Sequence, residues 1–315
     1  MPELVLSRSS PAEPVVAVGH LSRTFRGQKA LDDVSFTVER GTVFGLVGEN
    51  GAGKSTLIKH VLGLWRAESG TVRVFGLDPV AEPAAVLGRI GYLSEQPDLP
   101  GWMRVDELLG YTQAFYPNWD SQHAEWLREQ FALDPTARIK TLSRGQRAKL
   151  GLIAAEAHRP DLLLLDEPSS GLDPVVRRDI LEAIIRTVTD AGRTVIFSSH
   201  LLDEIERVSD HLGMLHRGRL RLCAPLDEVK ARHRRIVLHF ELPQPNPPTV
   251  PGAIRVSGAE RVWTVICEAS RLDRAAIARN FGARITDESP ASLDEVFIAH
   301  TGVACEALPD HPIAI

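Results

Sequence analysis

The chain has 315 residues, 43% of them hydrophobic and 24% charged, with a formal net charge of −5. That composition suits one large globular domain with a small companion, and its acidic balance gives no general basis for binding nucleic acid. Cys223, Cys267 and Cys305 lie far apart, with neither metal spacing nor a pairing framework, so a reducing compartment is expected. No apolar run approaches the roughly 18 residues of a membrane span. The opening stretch MPELVLSRSSPAEP carries Glu3 and no long apolar core, so it makes a poor secretory signal. Residues 1–14 are expected to be a disordered tail.

In chain order, Val15–Val18 and Val34–Val38 alternate as strands of an antiparallel layer, with Phe25 just before a glycine turn between them. The apolar run Gly41–Val47 then leads into GENGAGKST, Gly48 to Thr56, followed by Leu57–Leu62 at helical spacing. Strand, glycine-rich loop and helix in this order make a phosphate-binding loop. Gly48, Gly51 and Gly53 allow a tight turn that points successive N–H groups at an anion, and the helix start adds its dipole. Lys54 would reach the β- and γ-phosphates of a nucleoside triphosphate, and the Ser55 hydroxyl would ligate Mg²⁺.

Further strands are expected at Thr71–Val74 and Arg89–Leu93, the second ending in Ser94-Glu95-Gln96-Pro97. From Trp102 to about His158 the pattern is helical. Six of its aromatic residues crowd together in a chain otherwise poor in rings. They either fill the core of a small helical subdomain or line a groove for a partner's helix. Within this stretch Ser143 is placed to cap a helix through Leu150 and so to create a second anion-binding helix start.

Leu162–Leu165 is a continuous apolar run, as expected for a strand buried on both faces, and it ends in Asp166 and Glu167. Carboxylates at that edge of an open α/β sheet stand where ligands bind. Asp166 can hold a Mg²⁺ shell, and Glu167 can polarise a water for in-line attack on a γ-phosphate. Helix (Pro174–Ala191), strand (Thr194–Ser198), helix (Leu201–Val208) and strand (His211–His216) follow, an alternation that argues a parallel sheet. His211 and His216 lack further ligands and read as structural. The basic run Lys230–Arg235 reads as a solvated helix end. Beyond it come a strand (Ile236–Leu242), a proline-rich loop (Pro243–Pro248) and strands at Ala253–Val256 and Arg261–Cys267. A helix (Arg271–Phe281), a short strand (Arg284–Thr286) and a last helix (Ser292–His300) complete the pattern.

The ordered set GENGAGKS, Gln96, LSRGQ (Leu142–Gln146), LLLLDEPSSGLD (Leu162–Asp173) and Ser198-Ser199-His200 resembles the ATP-binding-cassette (ABC) ATPases. The likeness runs unbroken from about Val15 to Pro225. It implies an α/β fold: a P-loop NTPase sheet with an antiparallel β layer and a helical subdomain, here followed by a small C-terminal α+β unit. The domains are then a nucleotide-binding domain at 15–234, its helical subdomain at about 102–158, an appendage at 235–303 and a tail at 304–315.

The resemblance also assigns roles. Gly48, Glu49, Asn50, Gly51, Ala52, Gly53, Lys54, Ser55 and Thr56 would hold the phosphates of ATP, with Phe25 stacked on adenine. Ser55, Gln96 and Asp166 would serve Mg²⁺, and Glu167, His200, Lys54 and Gln96 would act in hydrolysis. Ser143, Gly145, Gln146 and Asp173 would meet the nucleotide held by a second nucleotide-binding domain across a head-to-tail dimer. Arg144 departs from the commoner second glycine of LSGGQ. The stretch Phe115–Asp120 looks like bacterial antibiotic and multidrug exporter ATPases.

The expected activity is ATP hydrolysis that energises a separate transmembrane permease, at the cytoplasmic face of the membrane. Nucleic acid is not an expected partner. The alternative is a soluble ABC ATPase acting on ribosomes or chromosomes. One cassette rather than two, and room for only a compact insertion between Gln96 and Ser143, stand against it.

Overall fold

Strands β1 (Val16–Phe25) and β2 (Gln28–Val38) form one antiparallel hairpin whose tip, Arg26-Gly27, has φ of 49° and 82°. Two consecutive left-handed residues match the twist of a tight hairpin. The sequence pattern leaves Leu21–Gly27 outside any strand because three register shifts in β1 break its alternation. Strand β4 (Ser69–Val74) pairs with β1 to complete a three-stranded layer of order β2-β1-β4. The structure, a computed structural model, describes residues 13–271, 274, 277 and 283–302, and of 187–191 the backbone alone. Most of the expected N-terminal tail, most of the expected helix Arg271–Phe281, Cys305 and the tail at 304–315 lie outside the described residues.

The central sheet has the order β5-β6-β7-β3-β8-β9. Strands β3 (Val43–Val47), β5 (Ile90–Leu93), β6 (Leu162–Asp166), β7 (Thr194–Ser199) and β8 (His211–His216) run parallel, and β9 (Arg219–Pro225) closes one edge antiparallel. Alternate residues of β6 serve two cores. Leu162 and Leu164 pack with the antiparallel layer and helix α1 (Lys54–Val61), while Leu163 and Leu165 pack with helices on the other face. Burial on both faces is why β3, β6 and β7 read as near-continuous apolar runs. β9 has one exposed face and alternates, a pattern the sequence reading passed over.

A short helix α2 (Pro83–Leu87) precedes β5. The helical subdomain consists of α3 (Val105–Gln113), α4 (Ser121–Gln130) and α5 (Arg144–Glu156). Helices α6 (Pro174–Ala191), α7 (Leu202–Val208) and α8 (Leu226–Arg232) alternate with the later strands.

The C-terminal unit is a four-stranded antiparallel sheet, β11-β12-β10-β13, made of β10 (His233–Phe240), β11 (Ala253–Ala259), β12 (Val262–Glu268) and β13 (Ala283–Pro290). The basic run therefore spans the last turn of α8 and the start of β10. Ile236, Leu238, Trp263 and Val265 form a core of this sheet's own. The last helix, α9 (Leu293–Thr301), bridges the two units: it packs beside β11 and β12, while Leu293, Val296 and Phe297 join the main hydrophobic cluster and the helix also touches α7 and β9.

Candidate nucleotide site

The loop between β3 and α1 is shaped by its glycines. Gly53 caps α1 with φ 111°, and a Cβ there would stand 2.5 Å from the Ala30 carbonyl of β2. Gly48 is equally confined, because a Cβ would run into the Leu215 carbonyl of β8. Only glycine meets both demands of conformation and close approach. No side chain caps α1, so the N–H groups of its first turn have no side-chain acceptor and suit an anion. Ser55 is exposed and Thr56 half-buried, while Glu49 faces the buried His216 of β8 at 3.8 Å.

Lys54 is 6% exposed and lies along the loop, donating to the carbonyls of Gly48 and Glu49. Its Nζ also stands 2.9 Å from Glu167 Oε1, and the other oxygen, Oε2, accepts from His200 Nδ1 at 2.7 Å. The Asp166-Glu167 pair diverges at the end of β6. Asp166 accepts from the Ser198 hydroxyl at 2.9 Å with the Ser55 hydroxyl nearby, whereas Glu167 takes φ 51° and turns toward Lys54 and His200. A left-handed glutamate costs about 1–2 kcal/mol in backbone strain. The Glu167 amide is held by the Ser198 hydroxyl at 2.9 Å, which helps to fix that conformation.

These surroundings set the charges. Burial pushes the Asp166 carboxyl up, against the Ser198 and Ser55 hydroxyls that hold it down. Burial acts the same way on Glu167, but the His200 hydrogen bond and the Lys54 charge outweigh it, so its carboxyl lies below the usual range. The Glu167 hydrogen bond in turn raises His200. Two neighbouring acids thus have opposite tendencies set by their partners.

The remaining expected residues stand elsewhere. Ser143 caps α5 in a box with Gln146: its Oγ accepts from the Gln146 amide at 3.2 Å, and the Gln146 side chain accepts from the Ser143 amide at 2.9 Å. Gly145 lets α5 approach α6, since a Cβ would meet Val176 at 3.0 Å. Arg144 lays its guanidinium against Gly171. Asp173 caps α6, accepting from the Val175 and Val176 amides at 3.0 and 3.1 Å. Gln96 is exposed and lines a cleft with Arg144, Arg147 and Ser170. Among the described residues, none of Gln96, Ser143 and Asp173 hydrogen-bonds to the side chains of Lys54, Asp166 or Glu167.

Phe25 is half-buried at the hairpin tip. Trp65 packs edge-on against it at 5.0 Å between centroids, and Arg23 lies 4.8 Å over the ring. The hairpin tip stays near the phosphate loop because Ala30, on the same β2 strand, touches Gly53. Sequence reasoning missed Trp65, and it missed that Ser198 would bond both Asp166 and the Glu167 amide. A tryptophan four residues after the end of α1 carries no local signal of what it will touch.

An uncapped glycine loop, a buried lysine and a carboxylate pair at one sheet edge define a P-loop nucleoside triphosphatase. Within that class, residues 31–170 match the ABC transporter family model. The chain is 31% identical over 294 residues to the ABC transporter ATP-binding protein YtrB of Bacillus subtilis (strain 168), covering 91% of this chain and 98% of that protein. It is 33% identical over 303 residues to the daunorubicin/doxorubicin resistance ATP-binding protein DrrA of Streptomyces peucetius, covering 90% and 91%. A solved ATP-binding subunit of an ABC transporter superposes with a TM-score of 0.63 at 30% identity, over 69% of this chain and 92% of its own. The chain belongs to the ABC transporter ATP-binding proteins, and it is an ATPase.

Proposed function

We propose that this ATPase energises a separate transmembrane permease that exports a drug-, antibiotic- or lipid-like substrate. The hydrolytic reading is carried by the Glu167 carboxylate, which stands between Lys54 and His200 at the mouth of the phosphate loop. The donor set fits magnesium: the Ser55 hydroxyl and Asp166 carboxylate meet as hard oxygen ligands, with Gln96 as a further oxygen donor from the loop after β5. When bound, the ion would neutralise charge on the β- and γ-phosphates.

The chain's own residues do the rest. Amides of Gly48 to Thr56 cradle the phosphates, and Lys54 exchanges its contact with Glu167 for the γ-phosphate. Glu167 then accepts a hydrogen bond from the attacking water, while His200 holds the carboxylate in place. The water oxygen bonds to phosphorus, the bond to the bridging oxygen breaks, and ADP leaves; Glu167 takes the water's proton. The exposed caps Ser143 and Asp173, with Gly145 and Gln146, complete the site of a second nucleotide-binding chain, and Phe25 carries the adenine.

An apolar groove of roughly 450 Å³ supports a permease partner. It lies between the end of α1, β5, α3 and α5, with Leu62, Leu64, Leu87, Tyr92, Leu99 and Tyr116 along it. Leu64 and Leu87 are exposed at its rim, and the exposed ring of Tyr111 on α3 packs edge-on against that of Phe115 just beyond the helix. Such a groove suits an amphipathic helix. No helix among the described residues is long and apolar enough to cross a membrane. The export direction draws on relatives named for drug resistance, such as DrrA. The chain would then work at the cytoplasmic face, held there by its partner.

Purification of the chain from gently solubilised membranes of its source cell tests this. A polytopic membrane protein should co-purify, and Leu64→Glu should abolish the association while ATP binding persists. Recovery with ribosomes or DNA and no membrane partner would overturn the reading.

A further inference from the structure

The pair Glu167 and His200 sits on two different loops, one leaving β6 and one leaving β7, and their hydrogen bond requires those loops to keep a fixed spacing. Behind them lies a second carboxylate that the hydrolytic reading does not use. Glu204 of α7 is 1% exposed. Its Oε2 accepts from Ser169 Oγ at 2.8 Å and from Ser199 Oγ at 2.7 Å. Ser169 follows Glu167 by two residues, and Ser199 immediately precedes His200. Ser199 Oγ also accepts from the Leu201 amide at 3.0 Å, which fixes the turn that carries His200. On the other side, Glu204 Oε1 stands 3.2 Å from Arg177 Nε of α6. One buried carboxylate therefore grips both loops and the helix that follows the first of them.

We propose that Glu204 is a positioning residue for hydrolysis: by binding Ser169 and Ser199 it sets the distance at which Glu167 and His200 meet. Burying a carboxylate is costly unless it is paired and hydrogen-bonded, and here its partners come from the roots of the catalytic loops. Ser169 and Ser199 could each satisfy a hydroxyl locally. Instead both donate to the same oxygen, from segments 35 and 5 residues away in sequence. Loss of this clamp leaves the phosphate loop untouched, because Gly48 to Thr56 make no contact with Glu204 among the described hydrogen bonds and ion pairs. Turnover should fall while ATP binding stays.

The proposal rests on the reading of Glu167 and His200 given above, so its test includes a measurement independent of turnover. In the full chain, Glu204→Gln and the double variant Ser169→Ala/Ser199→Ala are compared with wild type. Three quantities are followed: kcat, the KM for ATP, and the hydrogen-bonded Nδ1–H proton signal of His200, assigned by its disappearance in His200→Gln. The expected result is a kcat lower by about 10- to 100-fold, the effect of misplacing a catalytic group by a fraction of an ångström to an ångström. KM should stay within about twofold of wild type, and the His200 signal should be shifted or lost. A folded variant that melts earlier but keeps the wild-type kcat and His200 signal would reduce Glu204 to a structural role and overturn the proposal. If Glu204→Gln does not fold, the serine double variant decides, since it deletes only two hydroxyl oxygens and leaves the carboxylate. Should Glu167 prove dispensable while the His200 signal still responds, the hydrolytic reading fails and the clamp stands.

Discussion

Glu167 Oε1 lies 2.9 Å from Lys54 Nζ, and both side chains are buried. This contact ties the end of β6 to the phosphate loop across the sheet edge. It also joins the group proposed to activate water to the group proposed to hold the γ-phosphate, so engaging a nucleotide must rearrange both.

A buried pair broken from one side leaves an uncompensated charge, at a cost of about 3–5 kcal/mol. Lys54→Met should therefore destabilise the nucleotide-free chain strongly, and should do so less in a Glu167→Gln background. Urea unfolding of the four proteins gives the coupling, expected at about 1–3 kcal/mol. Additive effects would show that the contact contributes nothing to the fold.

His200 carries a pH signature. Its hydrogen bond to Glu167 raises its folded pKa above the ordinary value of 6.5, and Glu167 itself stays ionised because its own pKa is lowered. A raised pKa means a stabilisation fully present below about pH 6.5, which is lost as pH rises through the folded value. The melting temperature of wild type relative to His200→Gln should thus be most favourable near pH 6 and should decline above it. A pH-independent difference would remove the charge from the interaction.

The end of the chain is tied to the ATPase core through Phe297, which is wholly buried in the main cluster. Every residue proposed to touch nucleotide precedes β10. A chain ending at Arg234 should therefore still bind ATP with magnesium, yet unfold at lower denaturant because α9 is gone. Phe297→Ala alone should cost about 3–5 kcal/mol. Equilibrium unfolding alongside nucleotide binding separates the two effects. Loss of nucleotide binding in a folded truncation would place the small unit in the site.

A composite site predicts complementation. Lys54→Ala ruins the phosphate loop and leaves the cap at Ser143 intact, whereas Ser143→Arg does the reverse. Each alone should be nearly inactive. Mixed, they can form a dimer with one intact site, which should restore ATP-dependent dimerisation and part of the turnover. Mixed dimers that recover neither would count against sharing.

Much of this was legible in the sequence because it is local. The phosphate loop, the run ending in Asp166-Glu167 and the Ser143 cap each combine a strand or helix signal with the chemistry beside it. The buried strands β3, β6 and β7 announced themselves as apolar runs. What stayed hidden depends on distant partners or on broken periodicity. Bulges masked the second half of β1, and the tie of α9 to the main core spans residues far apart in the chain. The left-handed φ of Glu167 and the Glu204 clamp are likewise long-range features, since neither glutamate differs locally from an ordinary loop or helix acid.

The most direct measurement concerns Glu167→Gln, a replacement that keeps size and hydrogen bonding but cannot take a proton. Nucleotide binding and steady-state ATPase activity should be measured on the same preparation. The expected result is ATP binding close to wild type with turnover reduced about 10²- to 10⁴-fold. Near-normal hydrolysis by that protein would contradict the assignment of Glu167 as the group that activates water.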